Sequence, residues 1–283
     1  MDRFRLFFVL FCWCAISMQA QLCPFTRILD KYSIIDTCRY KVYYEFRMAP
    51  TTDENGIAHD VHLLEIGEKY TRCHSYLLYQ GDSLYTECEK QGLPSRSLNQ
   101  YVWPVETRMD FDKQETTFLF RPFLHDMVLK YTEPMEHIDW QILTETDSVA
   151  GYLCQLAVCQ FRGRDYQAWF SAELPFNVGP YKFYGLPGLI LKMEDSEQVF
   201  QWDCRRIEKA KSGETIRSYE GKYQDSSRKK VDETVSRIYS APYKFAASLG
   251  IKIKMKTKSG GWTDSGNVKF SMPYKPIENT IHP

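Results

Sequence analysis

Apolar and aromatic residues fall in short runs separated by turn residues, and most of the runs have the two-residue period of strands. Tyr40 to Phe46 is aromatic and β-branched and ends at Ala49-Pro50. A polar turn around Asp53-Glu54-Asn55-Gly56 leads into a returning strand over Val61 to Ile66, closed by Gly67. Thr116 to Phe120, Ile138 to Thr144, Tyr152 to Phe161 and Tyr166 to Phe170 continue the pattern, followed by Leu189 to Leu191 and Val199 to Trp202. One stretch reads as a helix. Between Ser227 and Ser240, Val231, Val235, Ile238 and Tyr239 share a face, and Pro242 ends the run. Ile251 to Lys258 alternates strictly, with Lys252, Lys254, Lys256 and Lys258 opposite Ile251, Ile253 and Met255. The expected fold is mainly β: a curved antiparallel sheet or open barrel with one minor C-terminal helix. With no Pro-, Gly- or Ser-rich linker, residues 21–283 read as one domain with its core at about 40–272.

Hydrophobic residues at 43% and charged residues at 25% exclude a disordered or collagen-like chain. Lys+Arg and Asp+Glu are both 36, but unevenly spread. Residues 205–283 carry 17 basic against 8 acidic side chains, which leaves 19 against 28 in residues 1–204. The two parts neutralise each other on packing, so composition points to no polyelectrolyte partner.

The N-terminus has the marks of a secretory signal peptide over residues 1–20. Arg3 and Arg5 precede the apolar run Leu6 to Ile16, and Ser17-Met18-Gln19-Ala20 offers a cleavage site. The run is too short to cross a bilayer, and no later segment reads as a transmembrane helix. Export predicts a periplasmic, outer-envelope or secreted location. Cys23 raises lipidation as an alternative, against which Gln21-Leu22 makes a poor lipobox.

Removal of the signal leaves seven cysteines, an odd number, in a compartment that permits disulfides. Cys73 and Cys88 flank a run with a turn signal at Gly81-Asp82, which predicts a hairpin and a local bridge. Cys154 and Cys204 are the next candidate pair.

Residues 150–195 carry an ordered motif: Gly163-Arg164, Ala168-Trp169-Phe170, Glu173 with Pro175, Gly179-Pro180, Phe183, then Gly185-Leu186-Pro187-Gly188-Leu189-Ile190 and Asp195. This order resembles the GLPGLI (Porph_ging) family of exported Bacteroidota proteins. Tyr274-Lys275-Pro276-Ile277-Glu278 resembles the family's C-terminal ending, with Lys275 where Asn is usual. The resemblance implies an exported envelope protein and carries no catalytic or ligand residues, because the family has no settled activity.

The motif also has a physical reading. Pro187-Gly188 suits the central positions of a type II turn, with Gly188 at positive φ. Leu189-Ile190-Leu191 lacks alternation and should be buried. The glycines then serve core geometry; alternatively the loop presents an apolar tip to a partner.

The sequence contains no metalloprotease or serine-hydrolase motif, and no cofactor is indicated. His59, His62 and His74 with a thiol would suit a soft metal, against which stands a plain reading as surface histidines. Asp110 and Asp112 would serve as an acid–base pair only if sunk in a cleft. The lysine face invites an anion, but lysines also guard sheet edges and no aromatics interleave as nucleic-acid platforms require. Two classes of function remain. The first is non-catalytic binding of an apolar or peptide ligand or an outer-membrane partner. The second is an enzyme of hydrolase type, or a thiol or metal protein.

Overall fold

A computed structural model describes residues 22–49, 58–94, 101–256 and 261–279. Strands β1 (Tyr32–Thr37), β2 (Tyr40–Met48), β3 (Ala58–Ile66) and β4 (Tyr70–Ser75) precede helix α1 (Tyr76–Gln91). Then come β5 (Val105–Asp110), β6 (Glu115–Phe120), β7 (Met127–Pro134), β8 (Gln141–Val149), β9 (Tyr152–Phe161) and β10 (Arg164–Ser171). β11 (Leu189–Asp195), β12 (Phe200–Lys209), β13 (Thr215–Tyr219) and β14 (Lys222–Asp225) follow. Helices α2 (Arg228–Ser240) and α3 (Pro242–Ser248), the short strands β15 (Lys254–Lys256) and β16 (Trp262–Asp264) and a single 3-10 turn (Ser265–Asn267) complete the elements of the described residues.

Twelve strands make one sheet in the order β14-β7-β6-β5-β4-β3-β2-β12-β11-β10-β9-β8. It consists of two antiparallel meanders, β2 to β7 and β8 to β12, joined where β12 pairs with β2 from Phe200↔Met48 to Lys209↔Tyr40. Among the described residues, only β14, beside β7, pairs in parallel. The sheet is curved and does not close into a barrel.

Alternation assigns the two faces. On the inner face Tyr44, Phe46, Leu64, Cys73, Val105, Phe118, Phe120, Phe170 and Trp202 belong to one hydrophobic core, which α2 joins through Val231, Val235, Ile238 and Tyr239. Ser227 caps α2 by accepting from the Lys230 N–H, so this helix forms where its spacing predicts it. On the outer face Glu65, Arg72, His74 and Glu106 are buried beneath α1 and residues 22–31.

Two expectations need correction. The run after Cys73 is not a hairpin but the sixteen-residue helix α1, capped by the Ser75 hydroxyl and buried through Leu78, Asp82 and Thr86, four residues apart. Three helices therefore stand among the described residues where one was expected. The lysine strand is also short. β15 covers Lys254–Lys256 and pairs with β16, Lys252 and Lys254 are exposed, and Lys258 lies outside the described residues.

Candidate functional site

Between the inner face of β5, β6 and β7, helix α2 and the segment 274–279 lies a cavity of about 910 Å³. Its walls are aromatic: Trp103, Phe118, Phe120, Tyr131, Tyr239 and Tyr274. Two ring pairs are stacked, Phe118 on Tyr131 at 4.8 Å and Tyr239 on Tyr274 at 4.5 Å between centroids. Asp232, Glu233, Arg237 and Lys275 add both signs of charge to the lining. Such a cavity suits an apolar body with few polar groups.

One wall, residues 274–279, has no regular secondary structure and is held by polar contacts from the signature. Arg164 donates to the Pro276 carbonyl at 3.0 Å. The Tyr166 hydroxyl donates to the Ile277 carbonyl at 3.1 Å, and the Asn279 N–H to the Arg162 carbonyl at 2.7 Å. Glu278 is gripped by the Tyr181 hydroxyl at 2.6 Å, Lys182 Nζ at 2.7 Å and the Arg228 guanidinium at 2.6 Å. Lys182 also reaches Glu133 at 2.7 Å and the Tyr131 hydroxyl at 2.9 Å.

The side chains of Lys182 and Glu278 are 3% and 7% exposed. Burial opposes the charge on Glu278, but Lys182 beside it, with hydrogen bonds from Lys182 and Tyr181, holds its carboxyl below the usual range. Burial opposes the charge on Lys182 as well, and Glu278 with its other neighbours outweighs it, raising the ammonium. The signature thus acts as a clamp on the C-terminal segment. Sequence reading found both partners as motifs but had no signal that they touch.

The remaining signature residues set the clamp's backbone. Arg162 and Gly163, at φ 52° and 77°, make the tight turn from β9 to β10. Arg164 is buried against Asp195 at 2.8 Å, and Trp169 packs on the margin of the core. The Gly179 N–H donates to the Phe183 carbonyl, which closes the loop over Pro180. Tyr181 sits in the left-handed region at φ 58°, uncommon for a side chain of its size, and aims its hydroxyl at Glu278. Leu186, Leu189, Ile190 and Leu191 are buried, whereas Pro187 is exposed.

Gly188 is not at positive φ; Gly185 is, at 98°. The type II turn is therefore replaced by a close approach. A Cβ on Gly188 would collide with the Ser171 carbonyl, 2.6 Å from its carbon. The backbones of β10 and β11 meet there, and only glycine fits.

The other candidates do not assemble into a site. The four cysteines of the two expected pairs, Cys73, Cys88, Cys154 and Cys204, form no disulfide. Cys73 lies on β4 while Cys88 is carried away along α1, which corrects the predicted local bridge. Cys154 and Cys204 lie on β9 and β12 with two strands between them, and neither forms a disulfide. His62 is buried in the core, stacked on Phe46 at 4.1 Å and accepting from Trp202 Nε1 at 3.0 Å, while His59 is largely exposed. Among the described residues no group of three or more His, Cys, Asp or Glu is placed to hold a metal. Asp110 accepts from Tyr70, and Asp112 pairs with Lys69 at the surface. One carboxyl escaped sequence reading. Burial pushes Asp60 up to about 7, against hydrogen bonds from the Trp103 and Val61 N–H groups and the Ser75 hydroxyl. It does not line the cavity.

No described helix is long and apolar enough to cross a membrane, which leaves membrane β-barrels unaddressed. No curated protein matches the chain. Among solved structures, two crystal forms of PNGF-II are similar to it, at 14% and 13% identity with TM-scores of 0.48 and 0.46. Each match covers 77% of this chain, which spans 35% of theirs. Residues 161–192, the stretch that forms the clamp, carry the signature of the family described as "Protein of unknown function (Porph_ging)".

Proposed function

We propose that the chain is an exported cell-envelope protein that binds an apolar ligand, without catalysis, in the cavity between β5–β7, α2 and residues 274–279. The observation that carries this reading is the 910 Å³ chamber walled by rings. The polar groups beside it support binding over hydrolysis. Glu278 has three donors on its carboxylate and is held charged, so it makes a poor acid and a poor base. Asp60, with its carboxyl near neutral pH, stays away from the cavity. The N-terminal signal supports export, and the apolar lining suits a lipid-like or apolar peptide ligand.

Native mass spectrometry of the mature protein from its own envelope, with organic extraction, tests the reading. A bound apolar molecule is expected, and its addition to stripped protein should change Trp103 fluorescence. Ser236, exposed on α2 at the cavity, provides the control. Ser236→Trp should plug the chamber and weaken binding about tenfold or more while leaving the melting temperature nearly unchanged. Failure of a panel of fatty acids, isoprenoids and apolar peptides to bind would overturn the proposal.

A further inference from the structure

A second and much smaller site lies on the outer face of the same strands. There β3, β4 and β5 present Glu65, Arg72, His74, Glu106 and Arg108. Residues 22–31 bring Arg27 onto them, α1 brings Asp82, and the chain after β6 brings Arg121. Four guanidiniums meet three carboxylates, and the pairing is uneven. Arg121 grips Asp82 through two nitrogens, at 2.6 and 3.0 Å. Glu106 is taken by Arg72 at 3.0 Å and by Arg108 Nε at 2.6 Å. Arg27 is left with long contacts, 3.4 Å to Asp82 and 3.5 Å to Glu106, and its Nε makes no hydrogen bond.

Arg27, Arg72, His74, Asp82, Glu106 and Arg121 surround a void of about 20 Å³, room for one particle of about the size of water. Ser75, the N-cap of α1, Leu78 and Tyr79 in its first turn, and Pro104 and Val105 complete the lining. This sixteen-residue helix has no acidic residue in its first turn to offset its positive end. His74 is a second pointer. Its side chain is 6% exposed and its Nδ1 donates to the Ser75 carbonyl at 3.0 Å. Its Nε2 has no hydrogen-bond partner, with Glu65 at 3.6 Å.

We infer that this void is a binding site for one small monovalent inorganic anion of chloride size, held by Arg27 and Arg121 at the N-terminus of α1. A water would fill the volume but leave the excess positive charge buried; an anion removes it. The ion would tie residues 22–31 to α1 and to the sheet. It would also act on His74. The groups facing that ring are Glu65 and His62 on β3, Arg72 on β4, Glu106 on β5 and Tyr79 on α1, and Arg27 shares the void with it. Burial and then Arg72 keep His74 neutral, and an anion offsets the second of these. A protonated His74, with Nε2 towards Glu65, then adds positive charge beside the void, so the anion binds more tightly as pH falls.

Crystals of the mature protein soaked in bromide and measured at the bromine edge give a direct test, with an anomalous peak expected within hydrogen-bond distance of Arg27. Thermal melts in chloride against gluconate at equal ionic strength give a second. Chloride at about ten times its dissociation constant should raise the melting temperature by about 3–5 °C, saturably, and more at about pH 6 than at about pH 8. Arg27→Gln should remove that difference. If this variant does not fold, the bromide map and the wild-type melts still decide. No anomalous peak would mean a single water and overturn the site, and a peak without any chloride-specific stabilisation would mean an adventitious ion only.

Discussion

Lys182 Nζ lies 2.7 Å from Glu278 Oε1, and by this contact the signature loop fastens the C-terminal segment that walls the cavity. The two residues stand almost a hundred positions apart, each within its own motif. Neither would tolerate burial alone, since an unpaired charge in that setting costs several kcal/mol.

Glu278→Gln should therefore destabilise the protein by about 3–5 kcal/mol, because it removes one of the two carboxylates at 2.7 Å from buried Lys182 and the one at 2.6 Å from Arg228. The pH dependence follows from the sign of the shift. Glu278 is held below the carboxylate value of the unfolded chain, about 4.3. Its stabilisation is complete above that value and is lost as pH falls through the lower folded value. Calorimetric melts from neutral to acid pH should show a steeper loss in the wild type than in Glu278→Gln.

Asp60 acts with the opposite sign. Its folded value of about 7 lies above the unfolded value of about 3.9, so the folded protein keeps the proton where the unfolded chain has released it. Stability should fall as pH rises from about 4 to about 7 and level off beyond. Asp60→Ala loses three hydrogen bonds and will be less stable throughout, but its melting temperature should lack this decline. Parallel slopes in the two proteins would contradict the assignment.

Gly188→Ala should cost about 3 kcal/mol or more, since the obstacle is the Ser171 carbonyl and backbone in paired strands does not step aside. Gly151→Ala is the contrast. Gly151 has φ 85° with open space around it, so only the left-handed conformation is penalised, by roughly 1–2 kcal/mol. Denaturant midpoints of the two variants check the ranking.

The buried thiols should be inert in the native protein. Burial raises Cys38, Cys73, Cys159 and Cys204 to about 12 and Cys154 to about 11, which starves each of the reactive thiolate. Brief alkylation at about pH 8 should label Cys88, which is half-buried on α1, well ahead of these five. Labelling in denaturant should reach Cys88 and all five buried thiols. Mass spectrometry of the two digests reads the difference.

Much of the sheet was legible because alternation is a local property. β2, β3, β6, β9 and β10 lie where the strand pattern puts them, and the burial of Leu189, Ile190 and Leu191 follows from their lack of polar partners in sequence. Helix α1 was misread because Gly81-Asp82 looks like a turn. The Ser75 cap and the four-residue spacing of Leu78, Asp82 and Thr86 were the available signals, obscured because two of the three are polar. Asp82 is buried there only because Arg121 and Arg27 come to it from distant parts of the chain.

What the sequence by itself determined is a share of the strands, β2, β3, β6, β9 and β10 among them, together with helix α2, the order of the signature residues and the burial of Leu189, Ile190 and Leu191. These rest on the period of hydrophobic positions and on the conformational limits of Gly and Pro, which act over a few residues. Tertiary structure alone decided that Trp103, Tyr131, Tyr239 and Tyr274 wall one cavity, that Lys182 clamps Glu278, and that Gly188 is required by a neighbouring strand and not by its own φ. Each is a contact between segments far apart in the chain, and its energy depends on which surfaces the curved sheet brings together. No local spacing encodes that distance.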